Sequence, residues 1–194
     1  VYVGEVAAGR RTGFARLSYA SGESYEGEFV DDAMTGEGVL RAADGSELYR
    51  GRWADGLRDG RGVGTAGADE ALWEGQWARG RPNGEGEMRE LNGDVYAGGV
   101  RDGVRHGRGR LACAGGAAYD GEWEGGRRHG SGRHVAEDGA EYVGEWRNNK
   151  RDGRGRQRRP DGSEYEGEWA RDRPHGQGSE QGADGALYAG HFAD

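Results

Sequence analysis

Tyr165-Glu166-Gly167-Glu168-Trp169 decides the fold, because the chain writes variants of it nine times. The other copies open at Tyr2, Tyr25, Tyr49, Trp73, Tyr96, Tyr119, Tyr142 and Tyr188. Starts lie 23 residues apart, or 24 for the intervals beginning at Tyr25 and Tyr49. An aromatic opens each copy, Gly follows two residues on, and the residue four on is usually Trp or Phe. The chain has six Trp, nine Tyr and three Phe, and only Phe14 and Tyr19 fall outside these two positions. A fixed period in this range marks a repeat architecture.

Within a copy, Tyr25, Gly27 and Phe29 alternate with Glu26 and Glu28. That period of two predicts a strand with one aromatic–Gly–aromatic face and one acidic face. Seven residues after the opening aromatic stand Gly9, Asp32, Gly56, Gly80, Gly103, Gly126, Asn149 and Asp172, residue types that tolerate positive φ and predict a hairpin turn. A Gly-x-Gly follows, as in Gly36/Gly38 and Gly153/Gly155, and opens the second strand. Glycines in a strand weaken it unless something packs over them, so aromatic rings of a neighbouring hairpin are expected to cover both. A second turn comes at Asp44-Gly45, Asn92-Gly93, Asp138-Gly139, Asp161-Gly162 and Asp184-Gly185. In the two 24-residue units the extra residue predicts a bulge at Ser46–Leu48 and at Glu70–Leu72.

The fold class is therefore all-β: an elongated, twisted single antiparallel meander of stacked 23–24-residue β-hairpins. Residues 1–194 form one continuous array, eight full repeats and a partial ninth at 188–194. With strands ~4.8 Å apart the sheet would run roughly 75 Å.

Tyr-x-Gly-x-Trp, a short loop, Gly-x-Gly and then Asp-Gly, repeated along the whole chain, resembles the MORN-repeat family. The departures are Val6 and Val100 at the second aromatic, Gly99 for Glu, and Trp73 for Tyr. The resemblance implies a scaffold or attachment module, with three contexts. One is the ciliary or flagellar axoneme, in radial spokes or a neighbouring complex. A second is a membrane or phospholipid-associated tether. The third is the regulatory repeats of an enzyme such as a phosphoinositide kinase or a lysine methyltransferase, whose catalytic part would lie elsewhere.

Composition alone points toward disorder, with 33% hydrophobic residues, no Ile and a net charge of -8. The strict placement of the aromatics and of the 42 glycines outweighs it. One cysteine, Cys113, allows no internal disulfide. No apolar run approaches the ~20 residues of a membrane-spanning helix. The acidic balance argues against nucleic acid, whose binders need a basic face.

Candidate chemistry yields to plainer readings. His106, His129 and His175 share one position before Gly-x-Gly, where other repeats place Thr, Asp or Asn. Repeat neighbours would stand ~9.5 Å apart, too far to share an ion. Gly62-x-Gly64-x-x-Gly67 matches a dinucleotide fingerprint but lacks the helix such a site requires. Cys113 reads as a small buried residue. Paired carboxylates such as Glu26/Glu28 and Glu166/Glu168 are alike in every repeat, whereas an acid–base pair needs unlike environments. No catalytic, cofactor or metal residues are assigned, and an enzyme is not expected.

Two irregularities point to partners. Arg147, Lys150, Arg151, Arg154, Arg156, Arg158 and Arg159 face one acid, Asp152, within the seventh hairpin. Such a cluster suits an acidic protein surface or, less well, an anionic lipid, against the plainer reading of a solvated hairpin. Fifteen residues into each repeat stand Leu17, Leu40, Gly64, Met88 and Leu111, but then His134, Gln157 and Glu180. Toward the C-terminus the inner face grows polar, so that end is weakly packed or a partner completes it. The last strand, Tyr188 to Phe192, offers an edge for strand addition. Other proteins of a large cytoskeletal assembly are the expected partners, in the cytoplasm and in the axoneme of a cilium or flagellum, with homodimerisation left open.

Overall fold

The computed structural model describes residues 1–66 and 71–193, and every regular element among them is a β-strand. The chain divides into two compact units, Val1–Leu91 with Val100–Gly103, and Asn92–Gly99 with Val104–Asp194. In the first lie β1 (Tyr2–Ala7), β2 (Arg10–Ser18), β3 (Ser24–Val30), β4 (Ala33–Arg41), β5 (Glu47–Ala54), β6 (Leu57–Ala66), β7 (Ala71–Ala78) and β8 (Arg81–Arg89). Strand β9 (Val95–Arg101) contributes to both units. The second holds β10 (Val104–Ala112), β11 (Ala118–Glu124), β12 (Arg127–Val135), β13 (Glu141–Arg147), β14 (Lys150–Arg158), β15 (Glu164–Ala170), β16 (Arg173–Gln181) and β17 (Leu187–Phe192). Each unit is an antiparallel meander in which β1 to β8, and β10 to β17, bond in chain order.

Opening strands end in two-residue turns. Asp31 and Asp32 both adopt left-handed conformations, φ 47° and 72°, as do Asn148 and Asn149. Two successive positive φ values match the twist of the strands they join. The turns also stack: the Gly56 amide donates to the Met34 carbonyl one repeat earlier, and Asp172 to that of Arg151, each at 2.9 Å. In the second turn Asp161 Oδ1 accepts from the Ser163 amide while Gly162 takes φ 87°, the Asx-turn that Asp-Gly predicts.

The bulge recurs where the alternation did not predict one. Between β3 and β4 the register passes from Gly27 opposite Gly38 to Glu28 opposite Thr35, leaving Gly36 and Glu37 looped out. Shifts at the same place follow Gly51, Gly75, Gly121, Gly144 and Gly167. Consequently the two glycines of Gly-x-Gly differ. The first sits at positive φ, +61° at Gly36 and +109° at Gly153, where a β-carbon would meet Glu28 or Glu145 rather than a ring. Only the second lies under a ring, and that ring belongs to its own hairpin: Tyr25 covers Gly38 and Tyr142 covers Gly155. This corrects the expectation that rings of a neighbouring hairpin cover both.

Of the two bulges expected from the longer units, the one at Leu48 is present. Leu40 pairs with Tyr49 and Arg41 with Glu47, leaving Leu48 over. At the second, Ala71 and Leu72 pair in regular register with Ala66 and Thr65, and Glu70 lies outside the described residues.

Neighbouring hairpins are joined by the rings. Tyr142 meets Trp146 of its own repeat and Trp169 of the next, edge to face, at 5.1 and 5.3 Å. Its hydroxyl donates to the Glu145 carbonyl at 3.0 Å, and Trp169 Nε1 reaches back to the Gly155 carbonyl at 3.0 Å. The same contacts tie Tyr25, Tyr49 and Trp53 in the first unit. Each edge-to-face pair contributes about 0.5–1.5 kcal/mol beyond burial. Tyr25, Tyr49, Trp73, Tyr96 and Tyr165 are fully buried. The core of each unit is this row of rings over bare glycine backbone.

Candidate partner-binding face

Above the rings lies a second row of side chains, from the position nine residues into each repeat. The two-residue turn puts this residue on the ring face, opposite the second aromatic of its hairpin, as Met34 is opposite Phe29. Five repeats place Arg there. The Arg128 guanidinium stands 5.7 Å from the Tyr119 ring and 4.3 Å from that of Trp146 in the next repeat. Arg151 does the same over Tyr142 and Trp169, at 5.7 and 4.2 Å. Arg11, Arg58 and Arg105 repeat the arrangement. The ring quadrupole attracts a cation in this geometry, more so when water is displaced. Burial lowers the pKa of Arg58 and Arg128 from the usual guanidinium value.

Three of these arginines are also clipped to the next turn. The Arg151 amide donates to Asp172 Oδ1 at 2.9 Å and its Nη2 to the Asp172 carbonyl at 2.7 Å. Arg128 binds Asn149 likewise, and Arg11 binds Asp32. The sequence signal was available, Arg at one fixed offset in five of eight repeats, but Met34, Pro82 and Pro174 interrupt it.

The ring face carries a pocket between adjacent hairpins in each unit. In the first unit, Tyr19, Met34, Leu40 and Leu57 line a groove of about 510 Å³ over Trp53, with Glu23 and Arg58 at its margin. In the second, a pocket of about 220 Å³ lies over Trp146 and Tyr142, lined by Arg128, His134, Arg151, Gln157 and Asp172. Burial, then Arg128 and Arg151, hold the His134 imidazole below its ordinary pKa of 6.5.

The basic run of the seventh hairpin is divided between the two faces. Arg151 lies against the rings. Arg159 bonds Ser163 Oγ and pairs with Glu180 at 2.8 Å. Arg154, Arg156 and Arg158 point to the opposite face, with Glu168, Glu166 and Glu164 directly across from them on β15. Arg147 and Lys150 flank the exposed turn, Arg147 3.4 Å from Asp152. That opposite face carries charge in alternating stripes, Arg16 across from Glu26 and Arg110 across from Asp120, and its grooves mix both signs over the paired glycines.

At the C-terminal strand, Tyr188 is about half exposed, and Phe192 lies edge-on to Tyr165 at 4.8 Å. β17 bonds to β16 and leaves its other edge without a strand among the described residues. Cys113 is half-buried rather than in the core, because β10 ends at Ala112 and Cys113 opens the turn, its amide donating to the Ala117 carbonyl. Gly62 and Gly64 lie inside β6, and Gly67 is outside the described residues. His129 and His175 face Glu122 and Glu168 across the ladder. No group of three or more potential metal ligands comes together among the described residues.

The MORN repeat model matches residues 2–24, 25–47, 49–63, 73–94, 96–118, 119–141, 142–164 and 165–187. The chain belongs to the MORN-repeat family. Its matched MORN segments begin where the aromatics open each hairpin. No curated protein matches the chain significantly. Among solved structures it is similar to the TCP domain of SAS-4 (dCPAP) of Drosophila melanogaster in complex with a proline-rich motif of Ana2 (dSTIL), at 12% identity and a TM-score of 0.41, over 93% of this chain and 90% of that one. It is also similar to the TCP10 domain of Danio rerio CPAP, at 12% identity and a TM-score of 0.44, over 96% of this chain and 87% of that one. The MORN hairpin explains the placement above: the aromatic signature makes a floor, and the positions free to vary, nine and fifteen residues in, stand on it.

Proposed function

We propose that the chain is a non-enzymatic protein-interaction scaffold whose ring-bearing face holds a helix or extended segment of a partner. The observation that carries this reading is the groove of Tyr19, Met34, Leu40 and Leu57 over Trp53. Its floor is fixed by hydrogen-bonded rings, so the apolar side chains above are held in place before a ligand arrives, which lowers the ordering cost of binding. Tyr19 and Leu57 remain substantially exposed there, as anchors for a partner's side chains require. Family membership supports attachment as the task, and the axonemal assembly, a radial spoke or its neighbour, is the setting we assign. The tether reading drew on a basic cluster, but those side chains divide between two faces with carboxylates opposite the outer three, which favours the scaffold.

Crosslinking mass spectrometry on the native assembly tests it. Lys150 is the single lysine, so the reagent must join carboxylates; links from Glu23 or Glu180 to axonemal proteins are expected. Recovery with soluble metabolic enzymes in place of axonemal proteins overturns it.

A further inference from the structure

The two ring-face pockets are the same site, four repeats apart. Met34 corresponds to Arg128, Leu40 to His134, Trp53 to Trp146, Arg58 to Arg151 and Gly80 to Asp172, each at the same offset in its repeat. Floor and frame are kept while the lining changes from apolar to cationic. We propose that the pocket of Arg128, His134 and Arg151 receives the carboxylate of an Asp or Glu side chain from a partner segment, a reading that rests on the scaffold function above.

Charge carries the argument. Arg128 spends its described side-chain bond on the Asn149 carbonyl and joins no ion pair among the described residues, while it lies half-buried over Trp146. Removing a guanidinium from water without a counter-charge is costly, and a fixed fork of donors suits a carboxylate. The pocket's own acid, Asp172, is held by the Arg151 amide and guanidinium. Glu141, at the rim, is engaged by Arg133. His134 stands between the Tyr119 and Tyr142 phenols in register, 5.9 Å from the Trp146 ring, with Arg128 on its own strand, Arg151 from β14, and Asp172 and Glu141 as the acids facing the cavity. The arginines disfavour a third positive charge there. An arriving carboxylate reverses that balance and draws a proton onto His134.

Hexaglutamate, titrated into the full chain with His134 followed by NMR, tests the proposal against hexaglutamine. Hexaglutamate should shift the His134 ring signals, raise its pKa, and bind more tightly as pH falls from about 7 to about 6. The double variant R128M/H134L installs residues that the second repeat already carries, so the hairpin is expected to fold, and binding should weaken about tenfold or more. The reciprocal M34R/L40H should add a second site. Equal binding of hexaglutamate and hexaglutamine, or undiminished binding by R128M/H134L, overturns the acidic ligand. Because neither outcome bears on the crosslinks of the native assembly, the scaffold reading stands or falls separately.

Discussion

Tyr142 lies over Gly155 on the neighbouring strand of its own hairpin, so closely that a β-carbon there would stand 2.6 Å from the ring's Cε2 and nearer still to the hydroxyl. The ring cannot retreat, since its hydroxyl holds the Glu145 carbonyl and its edges meet Trp146 and Trp169. Gly155→Ala is therefore expected to cost about 1–3 kcal/mol, as overpacking of a rigid core does. Exposed Glu166→Ala should stay within about 0.5 kcal/mol of the parent. Denaturant melts of the two variants decide it; coincident midpoints would sink the packing account.

Gly153 belongs to a different argument. Its φ of +109° is what the bulge demands, and a β-carbon would sit 2.7 Å from the Glu145 carboxyl carbon. Gly153→Val should destabilise for backbone reasons, because L side chains rarely adopt that conformation. Removing the carboxylate in Gly153→Val/Glu145→Ala should leave most of the loss in place. Full recovery in the double variant would mean that the carboxylate, not the backbone, sets the cost.

Trp73 opens its repeat in place of Tyr, yet its Nε1 donates to the Gln76 carbonyl at 3.0 Å, as the tyrosine hydroxyls do in other repeats. Trp73→Tyr should change stability by about 1 kcal/mol or less, the range of conservative swaps. Trp73→Phe should cost about 1 kcal/mol more, through the unpaired carbonyl. Thermal melts that rank Phe level with Tyr would show that the bond contributes nothing.

Much of the frame was legible in the residues. Tyr25-Glu26-Gly27-Glu28-Phe29 could only alternate as a strand, and Asp31-Asp32 and Asp161-Gly162 announced turns by their tolerance of positive φ. The bulge was not legible, because Gly36 and Gly38 look identical as letters and differ only in φ and in what overhangs them. The binding face was hidden for a different reason. Two looped residues leave the alternation unchanged, so Arg128 and Arg151 fall in phase with Gly132 and Gly155 on the ring face, but an arginine in a basic run reads as solvated until a ring is found beneath it. The apparent cluster of the seventh hairpin dissolves by alternation alone, which sends Arg154, Arg156 and Arg158 to one face and Arg151 to the other.

Arg79 is strained by its position. It holds φ 49° in the first place of a two-residue turn that the seventh hairpin fills with Asn148 at φ 50°. Left-handed backbone costs most L residues roughly 1 kcal/mol, and Asn much less. Arg79→Asn should thus raise stability by about 0.5–1 kcal/mol, and Asn148→Arg should lower it by a similar amount. Chemical denaturation of both variants checks the symmetry; a change of the same sign in each would refute it.

Stability should fall on the alkaline side, for a reason built into the ring row. Burial pushes the hydroxyls of Tyr49 and Tyr119 up to about 12 from 10.0, and raises those of Tyr25 and Tyr142 as well. A folded-state pKa above the unfolded one means that the folded chain keeps its protons longer. The contribution is complete below about pH 10 and is lost as pH climbs from about 10 through about 12, when only the unfolded chain gains charge. Tyr49→Trp, copied from the Trp73 repeat, keeps an N–H donor for the Arg52 carbonyl that Tyr49 binds at 2.8 Å and removes one titrating group. Its unfolding free energy, measured across that window, should decline less steeply than that of the parent. Identical slopes would mean that the buried phenols are not what makes the fold sensitive to alkali.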